Sequence, residues 1–278
     1  MGVATLGGSL SESVGDLIAG NAMVDWTDDT AVTWQEISAS APSDFGGFLV
    51  KIGVNSLKNA RGIIKIGLGA AGSEVEFLRL PFRSLQRAGP VSVFCPISIP
   101  AGSRVSIAAG VSKGFTRSVQ IIGYPESEIG AAPFSTLDVG PFRTGVEEDY
   151  ARGVTVTAAA TAHTKGAWTE LSQDVALNRI SGDSLPHDYN HLGVMFLSDA
   201  NPSSELNLVD IAVGDVGSEV IIAENLSLNE ISGSGGNPSW PSILWISSSV
   251  IAAGSRISAR TQSDIGGHSI ELLLAGLR

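Results

Sequence analysis

Positive charge is scarce in this 278-residue chain: 17 Lys and Arg stand against 28 Asp and Glu, a formal net charge of −11 at pH 7. A surface of that sign repels a phosphate backbone, so nucleic acid is not an expected partner. Cysteine is nearly absent. Cys95 is the single one, no intrachain disulfide can form, and its neighbours Val93, Phe94 and Ile97 mark it as a small buried hydrophobe. No apolar run reaches the length of a membrane-crossing helix, and Asp16, Asp25 and several glycines interrupt the first residues. Neither a membrane span nor a signal peptide is expected. Four histidines leave few candidate bases, and no Gly-x-Ser-x-Gly elbow accompanies them. What the chain does have is glycine, 33 residues of it, with 43% hydrophobic and only 16% charged residues. Such a composition can bury a sizeable core and favours many short strands joined by tight turns over helices.

The chain repeats itself. Gly69-Ala-Ala-Gly-Ser-Glu-Val75 returns as Gly214-Asp-Val-Gly-Ser-Glu-Val220, and Ala101-Gly-Ser-Arg-Val-Ser106 as Ala253-Gly-Ser-Arg-Ile-Ser258. Upstream, Trp34-Gln-Glu-Ile-Ser38 matches Trp168-Thr-Glu-Leu-Ser172; downstream, Ser118-Val-Gln-Ile-Ile122 matches Ser269-Ile-Glu-Leu-Leu273. The order is conserved while the spacing widens, as loops do on a retained scaffold. Between these landmarks lie strand-length apolar runs, six in each copy, with the period-two alternation of half-buried strands, as in Val91-Ser-Val-Phe94. Residues 11–23 could hold one helical turn. The expected fold is all-β: two tandem jelly-roll-like antiparallel β-sandwich domains from an internal duplication. The expected boundaries are an N-terminal arm at 1–25, a first domain at 26–125, a Pro-, Gly- and acid-rich linker region at 126–152, and a second domain at 153–278.

The repeated residues read first as structure. Gly72, Ser73 and Glu74, like Gly217, Ser218 and Glu219, suit a turn between strands; an anion cradle would want a following helix and a Lys. Gly102 and Gly254 suit a second turn. Arg104 and Arg256 suit either a tie to turn carbonyls and to the Glu of the other tag, or a ligand or subunit contact. His187-Asp-Tyr-Asn-His191 has its histidines four apart, yet Pro186 and the following strand argue for a polar loop that could meet a partner or sugar. Asp28-Asp29 and Glu147-Glu-Asp149 lack the alternating acidic loop of a calcium site. Neither metal nor cofactor is expected, and no catalytic set is assembled. Sugar rings stack on indoles. Trp34 and Trp168 are duplicated, which suits a core or domain-edge role, whereas Trp240 in Asn237-Pro-Ser-Trp-Pro241 is a candidate binding aromatic. The candidate glycan set is therefore Trp240, His187, Tyr189 and His191.

The layout Lys165-Gly-Ala-Trp-Thr-Glu-Leu171, Asp210-Ile-Ala-Val-Gly214, Gly217-Ser-Glu219 and Ala253-Gly-Ser-Arg-Ile257 resembles proteins encoded among the virion genes of tailed bacteriophages and phage-like particles. The resemblance covers most of both copies and carries no catalytic residues. It implies a non-enzymatic virion component, such as a capsid decoration, head fibre or tail-tip protein, assembled in the host cytoplasm as a homo-oligomer with other virion proteins. One half would dock to the particle and the other would reach a host surface or glycan. The alternatives are a free carbohydrate-binding module or glycan hydrolase, the latter needing two facing carboxylates, and a double-jelly-roll major capsid protein.

Overall fold

A computed structural model describes residues 12–13, 34–54, 60–84, 91–111, 117–141, 153–172, 180, 184–197, 206–229, 243–247 and 249–278. The protein is all-β. The first set of strands is β1 (Glu12–Ser13), β2 (Gln35–Ser38), β3 (Phe45–Val54), β4 (Ala60–Leu68), β5 (Val75–Ser84), β6 (Val91–Cys95), β7 (Val105–Val111) and β8 (Arg117–Pro125). A one-turn helix α1 (Glu126–Ile129) and β9 (Leu137–Gly140) follow. The second set is β10 (Val154–Thr157), β11 (Thr169–Glu170), β12 (His191–Leu197), β13 (Leu206–Val213), β14 (Val220–Asn229), β15 (Ile243–Ser247), β16 (Ile257–Ser263) and β17 (Ser269–Leu277).

Each set makes two antiparallel layers. In the first they run β1-β8-β3-β6 and β5-β4-β7-β2; in the second, β10-β17-β12-β15 and β14-β13-β16-β11. Counted one to eight within its set, each half has the neighbour order 1-8-3-6 and 5-4-7-2. The two layers of a half share a core because alternate residues point inward: Phe48 and Val50 of β3 and Ile121 of β8 join Ile64 and Ile66 of β4 and Leu78 and Leu80 of β5. In the second half, Leu192 and Val194 of β12 and Leu272 and Leu274 of β17 meet Val209 and Ile211 of β13 and Ile257 of β16. Pairing also refines one repeat landmark. Phe45 and Tyr189 make matching bridges to Ile99 and Ile251, so Leu49 corresponds to Gly193. Their partners Ile122 and Ala275 correspond in turn, two residues along from the match that sequence suggests.

The halves are joined by β9. It lies antiparallel on β17, from Leu137 opposite Leu277 to Gly140 opposite Leu274, and parallel to β5, with Leu78 beside Leu137. The β5 layer of the first half and the β17 layer of the second thus form one nine-stranded sheet. Both faces of β17 are consequently buried. Leu272 and Leu274 enter the second core, while Leu273, Ala275 and Leu277, with Met195, enter the first. Strands fall within both the segment read as a linker and the segment read as an arm. The segment read as a linker supplies a fully buried strand, because Leu137 and Val139 fill the first core. Within the segment read as an arm, Glu12 and Ser13 pair with Gly123 and Ile122 of their own chain.

Candidate functional site

The duplicated tags form two matching ionic clasps. In the first, Gly69 and Gly72 turn the chain from β4 into β5 with φ of 126° and 78°. A Cβ at Gly69 would stand 2.7 Å from the Ser73 carbonyl oxygen, so only glycine fits. The turn closes with Ser73 N–H donating to the Ala70 carbonyl at 2.9 Å. Across it, Arg104 Nη1 donates to the Gly69 carbonyl at 3.1 Å and to Glu74 Oε1 at 2.9 Å, while its Nε donates to Glu36 Oε2 at 2.7 Å. The second half repeats this. Gly214 and Gly217 have φ of 124° and 82°. Arg256 Nη1 donates to the Gly214 carbonyl at 3.1 Å and to Glu219 Oε1 at 3.3 Å, and its Nε to Glu170 Oε2 at 3.1 Å. One guanidinium fork therefore ties three strands, β2, β5 and β7 or β11, β14 and β16. The Arg104 hydrogen bond holds the Glu74 carboxyl below the ordinary carboxylate range. Glu219 is lowered chiefly by its own backbone N–H, with Gly217 N–H and Arg256 contributing.

A second duplicated element pins the other tag. Asp44 Oδ1 accepts from Ala101 N–H at 2.7 Å, and Asp188 Oδ1 from Ala253 N–H at 2.6 Å. Gly102 N–H donates to the Ala41 carbonyl and Gly254 N–H to the Leu185 carbonyl, at 2.8 and 2.9 Å; these glycines have φ of 78° and 81°. Ala41-Pro-Ser-Asp-Phe45 is thus the counterpart of Leu185-Pro-His-Asp-Tyr189. That pair escapes sequence comparison because only Pro, Asp and an aromatic are shared.

This equivalence overturns part of the candidate glycan set. Tyr189 is fully buried where the first half has Phe45. Its ring lies across Gly276, where any Cβ would collide with it, and its hydroxyl donates to Asp138 Oδ2 at 3.1 Å. It is therefore a core residue and offers no stacking face. Asp188 is taken up by the loop. His187 is exposed and meets the Tyr189 ring edge-on at 6.4 Å. His191 opens β12 between Phe134, 5.0 Å away, and Trp245, 6.4 Å away, and Trp245 is 40% exposed. Trp245 overlies Gly193 as Phe94 overlies Gly47, so each half presents an aromatic on a glycine shelf. Trp240, Asp28-Asp29 and Glu147-Glu-Asp149 lie outside the described residues. Trp34 covers Gly67, and Arg260 stacks on Trp168 at 4.5 Å.

Two further ion clusters were not legible as motifs. Buried Asp210 accepts from Lys165 at 2.7 Å, Arg260 at 2.9 Å and Asn225 N–H at 2.9 Å. Burial opposes its ionisation, but these three donors together hold the carboxyl below its ordinary value. Glu76 joins Arg79 at 2.8 Å and Lys65 at 3.3 Å. Burial pushes the Cys95 thiol well up, which leaves it unreactive. An open hollow of about 630 Å³ borders the first clasp, between Phe77, Val75, Ser103 and Arg104. Among the described residues no three His, Cys, Asp or Glu are grouped to hold a metal, and no helix is long and apolar enough to cross a membrane.

Comparisons with known proteins add little to this geometry. No family model matches the chain, and no curated protein does. A crystal structure described as that of a "putative secreted protein" from Parabacteroides distasonis aligns over 94% of this chain and 88% of its own, at 7% identity and a TM-score of 0.22. A likeness that low transfers neither fold nor role.

Proposed function

We propose that the chain is a non-enzymatic structural protein: two jelly rolls derived from an internal duplication, built into a phage or phage-like particle as a decoration, head-fibre or tail-tip component. The observation that carries this reading is the repeated clasp. In both halves the polar residues that recur, Arg104 and Arg256 with their glutamates and Asp44 and Asp188, are occupied in holding strands and turns together. Residues retained in both copies for chemistry would instead converge on a cleft. The shared neighbour order 1-8-3-6 and 5-4-7-2 supports the jelly-roll and duplication readings. The second half is the better candidate for contact with a host-surface glycan, because it carries the half-exposed Trp245 beside His191.

Gold-labelled antibody against the protein, imaged on particles purified from cells that make it, tests the reading. Gold over heads or at tail tips is the expected result; intact and gently opened particles that both stay bare would end it. Glycan-array binding lost in Trp245→Ala would locate the sugar contact, and an array with no hit would remove that part alone.

A further inference from the structure

The joint between the halves has a counterpart, split between the outer edges of β1 and β14, that is unused among the described strands. Strand β9 fits between two partners, lying on β17 and against the outer edge of β5. The counterpart of β5 is β14: Gly67 and Ala212 pair with the equivalent serines Ser106 and Ser258 on one side, and with Glu76 and Ile221 on the other. By that register Ala223 matches Leu78. On β17 the strand-one position β10 and the joint strand β9 lie end to end along one edge, and by register β1, the first strand of its half, takes on β8 the stretch that β9 takes on β17. Glu12 lies opposite Gly123 and Ser13 opposite Ile122, just as Asp138 lies opposite Gly276 and Val139 opposite Ala275. Both edges that would complete a second joint lack a partner among the described strands: β14 pairs only with β13, and β1 only with β8.

Exposure follows the same logic. Leu78 and Leu80 on the covered edge strand are 0% and 1% exposed, whereas their register counterparts on β14, Ala223 and Leu226, are only partly buried, and Ile221 stands 41% exposed. A ten-residue edge strand with apolar exposed residues is a template for another strand. We propose that the outer edge of β14 receives, in parallel, β1 of a second copy of this chain, so that the joint made within one molecule by β5 and β9 is repeated between molecules. The contact is head-to-tail, and it propagates until a ring closes or a filament grows. The register places Glu12 of one copy beside Glu224 of the next.

The inference rests on the duplication reading but not on the particle. Single-cysteine additions test it, since buried Cys95 gives a silent background. Glu12→Cys and Glu224→Cys proteins are mixed and treated with a short bis-maleimide. The expected result is a covalent dimer in the mixture and in neither variant alone. In the unmodified chain, β14 amides should exchange at least about tenfold more slowly in concentrated than in dilute samples, while β11, the other edge of that layer, is unchanged. A protein that sediments as the 28.7 kDa monomer across the micromolar range overturns the proposal. So does an oligomer that yields no mixture-specific product and no β14 protection. Bare particles in the gold-labelling experiment would instead remove the virion role and leave this joint standing.

Discussion

At the scale of single residues, the paired turns contain glycines of two kinds. Gly72 and Gly217 have the left-handed φ that Asn also tolerates, with nothing within 4 Å of a new Cβ. Gly69 and Gly214, near 125°, lie outside that region and face a carbonyl oxygen at 2.7 and 2.8 Å. Gly214→Ala should therefore lower stability by about 1–3 kcal/mol in urea titrations, and Gly217→Asn by less than about 1 kcal/mol. Equal losses at both positions would contradict this division. The carboxylates make a pH prediction. Glu74, Glu219 and Asp210 all have lowered values in the folded protein, so their contribution is present above the unfolded value and disappears as pH falls through the folded one. Melting temperature should thus stay level near neutrality and decline below about pH 4.5, the ordinary value for Glu74 and Glu219. Arg104→Met should lower it by a few degrees at pH 7, and by progressively less as pH falls through the lowered value of Glu74 and that carboxyl loses its charge.

At the scale of elements, β9 governs whether the halves unfold together. Its Leu137 and Val139 are 1% and 0% exposed, and Val139→Ala should cost about 1–3 kcal/mol. A calorimetric trace should move as a single peak. Two separated peaks in the parent protein would mean that the shared sheet does not couple the cores. Tyr189→Phe, which copies the Phe45 side chain of the first half, should cost about 1–3 kcal/mol through the lost hydrogen bond to buried Asp138. The long strands were legible in the sequence because their inward residues alternate; β13 runs from Leu206 to Val213, the limits that the apolar pattern gives. Strand β9 was not. Leu-Asp-Val-Gly between Ser135-Thr136 and Pro141 is too short for a period, and it is a strand only because β5 and β17 flank it. The same limit applies to Tyr189: its neighbours in sequence are polar, and its burial comes from Gly276, far along the chain.

At the scale of the whole molecule, the first core includes Met195, Leu273, Ala275 and Leu277 from the second half. Residues 153–278 produced alone would expose that face to water, so this fragment should bind a hydrophobic dye and melt without cooperativity, as checked by circular dichroism. A sharp melt in the isolated fragment would refute the shared core. The clasps were readable as pairs of tags, since a repeat reveals itself without knowledge of contacts. The partner Glu36 and Glu170, and the ion cluster at Asp210, were not, because residues far apart in sequence meet only after the strands have paired. Two sandwiches on an ordinary linker swivel about it. Here residues 137–140 of the connecting segment are a buried strand of a continuous sheet, so the halves are related through the twist of that sheet. In a row of such molecules the joint at Leu137–Gly140 within each copy and the β1–β14 joint between copies would each add an increment of rotation, and the curvature of the row would be written into both.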